Sequence, residues 1–193
     1  LSSSNYYHNS LNDVKVLAAG ISEALLDLDI EHEIIGYYAD ICPEMLMNSG
    51  SNHFHRRKHS LKTVVFKSFQ DENNDGIENI KFKIADNSDG ESLKLVVQRL
   101  SKQPANKKIV FMLSDFMPML EGGNNNLLTR DLQNSIKYAN QNQTRVYGFN
   151  TADEILSSDL VDIPCVSINQ LANKSIEKLE EEHFFDFLEK MKQ

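Results

Sequence analysis

The chain has 193 residues, 40% of them hydrophobic and 25% charged, which suits one globular domain spanning residues 1–193 and excludes global disorder. Twenty Lys and Arg against 28 Asp and Glu leave a net charge of −8, which argues against a general nucleic-acid surface or an anionic-membrane surface. Two distant cysteines, Cys42 and Cys165, argue against a disulfide framework and for a reducing, cytoplasmic setting; no apolar run approaches the ~20 residues that span a bilayer, and residues 1–8 lack the charged and apolar regions of a signal peptide.

Along the chain the hydrophobic period changes several times. Over residues 11–28, Val14, Leu17, Ala18, Ile21, Leu25 and Leu28 recur at three- and four-residue steps, the pattern of an amphipathic helix. Residues 33–39 form a short, mostly apolar run and read as a buried strand. Residues 48–60 are polar and loop-like, and 63–66 are too short a run to separate strand from helix start. Residues 70–79 read as a polar turn, 80–84 alternate, and 92–100 are helical with Leu93, Val96, Val97 and Leu100 on one face. Ile109-Val110-Phe111-Met112-Leu113 is the clearest strand: unbroken apolar character suits burial on both faces of a parallel sheet. A loop over 121–126, a helix over 128–139, a strand over 145–149, a weak edge strand over 163–168 and a closing helix over 175–191 complete the reading. Helices alternating with apolar strands predict an α/β fold with an open, mostly parallel sheet flanked by helices on both faces. No strand precedes the first helix, although residues 1–10 look like the loop that would leave one.

In such a sheet, ligands gather at the carboxyl ends of the strands. Three stretches are expected to meet there: Ser2-Ser3-Ser4-Asn5, then Asp86-Asn87-Ser88-Asp89-Gly90-Glu91, then Ser114-Asp115. They supply hydroxyl and carboxylate oxygens, a donor set suited to Mg²⁺ or Mn²⁺ with waters completing the shell. The same residue types also serve as helix caps, and residue identity alone leaves both readings open.

These stretches resemble the metal-ion-dependent adhesion site of von Willebrand factor A (VWA) domains. The likeness is closest to the C-terminal VWA domain of the cobaltochelatase CobT subunit and its phage and bacterial relatives. It rests on Asn87-Ser88-Asp89-Gly90-Glu91-Ser92-Leu93, on Gln98-Arg99-Leu100, and on the run from Lys107 through Ile109 and Leu113 to Ser114-Asp115. The resemblance implies metal ligands at Ser2 and Ser4, matching the serines of D-x-S-x-S, at Asp89, and at Asp115, the aspartate of S-D-G. It implies about five to seven apolar residues ending in Asp ahead of Leu1, forming the sheet's central strand, so that this chain is the C-terminal part of a longer one. Phe116 stands where the family has Gly, which would stiffen the turn and crowd the ion.

By the same resemblance the chain is a non-catalytic subunit working with a ring-forming AAA+ ATPase of the CobS/MoxR type, with a large chelatase subunit as a third component. Asn-rich loops fit an AT-rich genome, such as a phage's. Two alternatives stand beside this reading. One is a divalent-metal hydrolase, for which Glu91 is the nearest general base; the other is a scaffold with a degenerate metal site. The remaining motifs are weaker. Asp71, Asn73 and Asp75 match the first half of an EF-hand loop, but Phe82 occupies the position of its bidentate Glu. His53, His55 and His59 flank Arg56, Arg57 and Lys58, whose charges repel a cation, so this stretch reads as a basic loop. Cys42 and Cys165 read as buried fillers, and residues 177–189 as the solvated face of the last helix.

Overall fold

The structure, a computed structural model, describes residues 11–41, 59–80, 86–119, 124–151 and 163–167. The first helix, α1 (Leu11–Asp27), buries Val14, Ala18, Ser22 and Leu25 on one face and leaves Val16 exposed on the other. It ends where Asp29 takes a left-handed conformation (φ 55°) and the Ile30 N–H reaches back to the Leu25 carbonyl at 2.8 Å, closing the last turn. Strand β1 (Ile34–Ile41) follows and pairs antiparallel with β2 (His59–Lys67), with a bulge between Ile34 and Ile35. Residues 63–66 are therefore strand, as their β-branched Thr and Val favour.

The segment after β2 is a 3₁₀ turn, Asp75–Asn79. Buried Lys67 anchors it by donating to the carbonyls of Ser68 and Asp71. The Asp71 carboxylate accepts the Ser68 N–H at 2.7 Å, and Asn73 donates to Asp75 at 2.8 Å. The half EF-hand pattern is thus a turn that hydrogen-bonds within itself.

Helix α2 (Asp89–Leu100), strand β3 (Lys108–Ser114), helix α3 (Asn125–Gln141), strand β4 (Thr144–Asn150) and the short β5 (Cys165–Ser167) form the second half. The strands run parallel in the order β3-β4-β5, with Leu113 opposite Phe149 and Ser114 opposite Asn150. Helix α3 starts earlier than its apolar period shows. The Asn124 side chain accepts from the N–H groups of Asn126 and Leu127, so Asn125 and Asn126, expected in a loop, are helical. Among the described residues β5 is an edge, with Pro164 just ahead of it. The alternating run at 80–84 lies outside the described residues except for Ile80, and the closing helix at 175–191 lies outside them altogether.

Side chains sort to the two faces by the two-residue period of a strand. Val110, Met112 and Val146 pack with Leu93, Val97, Leu132 and Ile136 of α2 and α3. Leu113 and Phe149 pack with Val14 of α1 on the other face, with Phe111 beside them. The result is three layers, with helices on both sides of the sheet. Helices α2 and α3 approach closely at Gly90: a Cβ there would lie 2.7 Å from the Leu132 backbone nitrogen, so only glycine fits.

Between β1 and β3 lies a cavity of about 560 Å³. Ile34, Ile35 and Tyr37 form one wall and Ile109 through Leu113 the other; Ala18, Ile21 and Leu25 of α1 close one side, and Leu93, Val96 and Leu100 of α2 the opposite side. Strands bound it at its edges and helices at its faces. A strand ahead of Leu1, implied only by the resemblance, is the occupant we propose for it. A chain carrying about five to seven apolar upstream residues should resist urea better than one starting at Leu1, and should bind less of an apolar-surface dye. Equal dye binding by the two would show that those residues lie elsewhere.

Candidate metal centre

Asp89 and Asp115 come together at the carboxyl end of β3, as the sequence led us to expect. Ser88 occupies the N-cap position of α2 without a side-chain cap bond, and Asp89 is the first helical residue. Its carboxylate does not cap the helix. Instead, Oδ1 accepts from the Tyr37 hydroxyl at 2.8 Å and from Asn87 Nδ2 at 3.0 Å, while Oδ2 accepts from the Ser114 hydroxyl at 3.0 Å. The residue is fully buried. The bonds described for this carboxylate all come from side chains, none from a backbone N–H at the start of the helix.

Asp115 is also buried, 5% exposed, and lies on the turn leaving β3. Its Oδ1 accepts the Met117 N–H at 3.0 Å and lies 3.5 Å from the Ser114 hydroxyl, which therefore stands between the two carboxylates. Asn87 locks this turn to the start of α2. Its backbone exchanges hydrogen bonds with Met119 in both directions, and its side-chain oxygen accepts the Met119 N–H at 3.0 Å. Ala39 N–H bonds to the Asp86 carbonyl, tying the same segment to β1. Sequence reasoning missed Tyr37 as a site residue, and placed Asn87 in the stretch without a role. Tyr37 lies in an apolar strand, and its partner is 52 residues away.

Phe116 corrects an expectation. Its backbone is left-handed (φ 55°), the conformation that the family's glycine adopts without strain, and its N–H donates to the Ser114 hydroxyl at 3.1 Å. The ring, 2% exposed, packs into the core with Met112 and Leu132 and faces Gly148, where an added Cβ would stand 2.7 Å from the ring. The side chain fills the core and does not crowd the carboxylates.

Ser2 and Ser4 lie outside the described residues, as do Cys42, His53 and His55; His59 opens β2. Cys165 is half-buried, and burial pushes its thiol up to about 11, so it stays protonated, in keeping with a filler role. Among the described residues no three His, Cys, Asp or Glu side chains converge as a metal site. The centre offers two carboxylates with a hydroxyl between them. All three donors are hard oxygens, and two buried negative charges side by side favour a cation, so these residues fit Mg²⁺ or Mn²⁺. Asp89 already accepts three hydrogen bonds, which leaves it room for one direct ligand bond or a bridging water.

Residues 10–143 match the family described as cobalamin biosynthesis protein CobT VWA domain. No curated protein matches the chain. The matched stretch contains Asp89 and Asp115 and all the partners described for them. No helix among the described residues is long and apolar enough to cross a membrane.

Burial, and then the neighbouring charge of Asp115, push the Asp89 carboxyl up to about 6, against the pull of its three donors. Its folded pKa exceeds the ordinary unfolded value, so the native state holds the proton more tightly. Without metal, the contribution of this group alone is full below about pH 4, falls by roughly 3 kcal/mol as pH rises to about 6, and changes no further above. Urea unfolding in EDTA from pH 4 to 8 should show this slope, and Asp89→Asn should flatten it. An unchanged slope in the variant would place the titration elsewhere.

Proposed function

Because the chain belongs to the CobT VWA domain family, we propose that it is a metal-dependent docking domain of a cobaltochelatase-like assembly, and that its partner is an AAA+ ATPase subunit. The observation that carries this reading is the pair of buried carboxylates, Asp89 and Asp115, joined through the Ser114 hydroxyl at the end of a parallel strand. Asp115, Asp89, Ser2 and Ser4 would hold Mg²⁺ or Mn²⁺. When bound, the ion supplies an electrophilic anchor for a carboxylate on the partner, an attraction that is strongest where water is excluded.

The chain's own residues prepare the surface around that anchor. Met117 and Met119, on the turn that carries Asp115, are 59% and 48% exposed, and Leu127 at the start of α3 is 61% exposed. Exposed, adaptable methionines beside a charged centre suit protein contact, since they can fit a partner's apolar side chains while the charged contact sets register. The turn beneath them is held by the Asn87–Met119 bonds, so the rim is presented on a fixed base. The hydrolase alternative has less support, because Glu91 is engaged by the Ser88 hydroxyl at 3.4 Å on its own helix turn.

The test is a pull-down of the AAA+ ATPase by this chain with Mg²⁺, with EDTA, and with Asp115→Ala. The ATPase should be retained only by the unaltered chain in Mg²⁺, with at least tenfold less recovered in the other two conditions. Equal recovery in EDTA would show that the metal is not the contact. Turnover of phosphoesters that is lost in Asp115→Ala would favour the hydrolase instead.

A further inference from the structure

Away from the carboxylate centre, one buried hydroxyl joins three segments of the chain. Ser22 on α1, 1% exposed, lies 2.5 Å from Nε2 of His32, between α1 and β1, and 2.5 Å from Oδ1 of Asn74, just ahead of the 3₁₀ turn. The other ring nitrogen of His32, Nδ1, lies 2.9 Å from the Ile30 carbonyl. Spacing of this kind also marks a serine nucleophile and its base, but a hydroxyl so buried, within a helix, cannot reach a substrate. Counting hydrogens gives the cluster another meaning. A carbonyl only accepts, so Nδ1 carries a hydrogen. The amide oxygen of Asn74 also only accepts, so the single hydroxyl hydrogen of Ser22 goes to it. Nε2 must then donate to the Ser22 oxygen, and a ring that donates from both nitrogens is the charged imidazolium.

We propose that Ser22, His32 and Asn74 form a pH-sensing relay: when the ring gives up its Nε2 proton, the Ser22 hydroxyl turns to donate to Nε2, and the Asn74 amide turns over to donate to Ser22. The neutral ring keeps its hydrogen on Nδ1, since the other tautomer would set a bare nitrogen against the Ile30 carbonyl. Both states keep every bond. They differ in the direction of two of them and in which end of the Asn74 amide faces Ser22. The surroundings press toward the neutral state. Burial pulls the His32 ring below the ordinary histidine range, the Ile30 carbonyl opposes this, and the buried Lys67 ammonium on β2 adds to it. The other charged groups of these segments are engaged or in solvent: Glu33 pairs with Arg99, Asp71 accepts the Ser68 N–H, and Asp75 accepts from Asn73. Glu23, Asp27, Asp29, Glu31, Glu72 and Glu78 are exposed. Ile77 and Ile80, buried against Ala19, Ile34 and Phe66, seat the turn in either state. The relay therefore resets the polar edge of the turn without unseating it.

The test is nitrogen NMR of the unaltered chain from about pH 4 to 8, with His32→Gln identifying the ring signals. The His32 midpoint should lie below the ordinary histidine value, and its neutral ring should carry the hydrogen on Nδ1. The side-chain amide signals of Asn74 should move with the same midpoint. Asn74→Asp, which can only accept, should hold the ring proton and raise the His32 midpoint by about one unit or more. Ser22→Ala should leave the Asn74 signals flat through the His32 titration, and in the double variant the rise from Asn74→Asp should fall by about half. Three results would each overturn the relay: an Asn74 amide that ignores the His32 titration in the unaltered chain, a neutral ring protonated on Nε2, or an undiminished rise without the hydroxyl. The first two are read on the unaltered chain, so they decide the matter even where Ser22→Ala does not fold.

Discussion

The upper end of this domain depends on one buried carboxylate. Asp89 gathers hydrogen bonds from Tyr37 on β1, from Asn87 beside it and from Ser114 on β3. Three segments far apart in sequence thereby meet at one charge. Hydrogen bonds to a charged group are each worth about 1.5–3 kcal/mol, so together they offset much of the cost of burying it. The arrangement also works in reverse: the hydroxyls and amide have each other's positions fixed by a common acceptor. The Ser114 hydroxyl donates to Asp89 and accepts from Phe116, so the turn that carries Asp115 takes its geometry from the same centre.

Much of this was legible in the sequence, for identifiable reasons. The apolar periods of α1 and α2 show directly because each buries one face, and β3 shows because both its faces are buried. Asp89 and Asp115 were marked by the residues around them and by a family resemblance that the match over residues 10–143 bears out. What stayed hidden is non-local or conformational. Tyr37 looks like a core residue until its hydroxyl is seen against Asp89. The cap at Asn124 was masked by a run of asparagines in which any one could have served.

Phe116 shows how a left-handed turn can be held without glycine. A left-handed backbone costs a non-glycine residue about 1–2 kcal/mol. Burying a phenylalanine ring returns roughly 1.5–3 kcal/mol. The exchange is near even, and it binds the turn to the core through Gly148, whose lack of a side chain makes the space. A turn governed by backbone freedom in the glycine form is governed here by packing. The Asp115 carboxylate is therefore tied mechanically to α2 and α3 beneath it.

The cavity between β1 and β3 has a consequence in time. Its two walls are made at different moments of translation, since β3 leaves the ribosome roughly seventy residues after β1, a gap of about 4–15 s at ordinary elongation rates. Through that interval the half-built slot presents Ile34, Ile35 and Tyr37 with nothing opposite them from β3. Nascent-chain protection, by the ribosome surface or by a holding chaperone, is most needed in that window, before the second wall arrives.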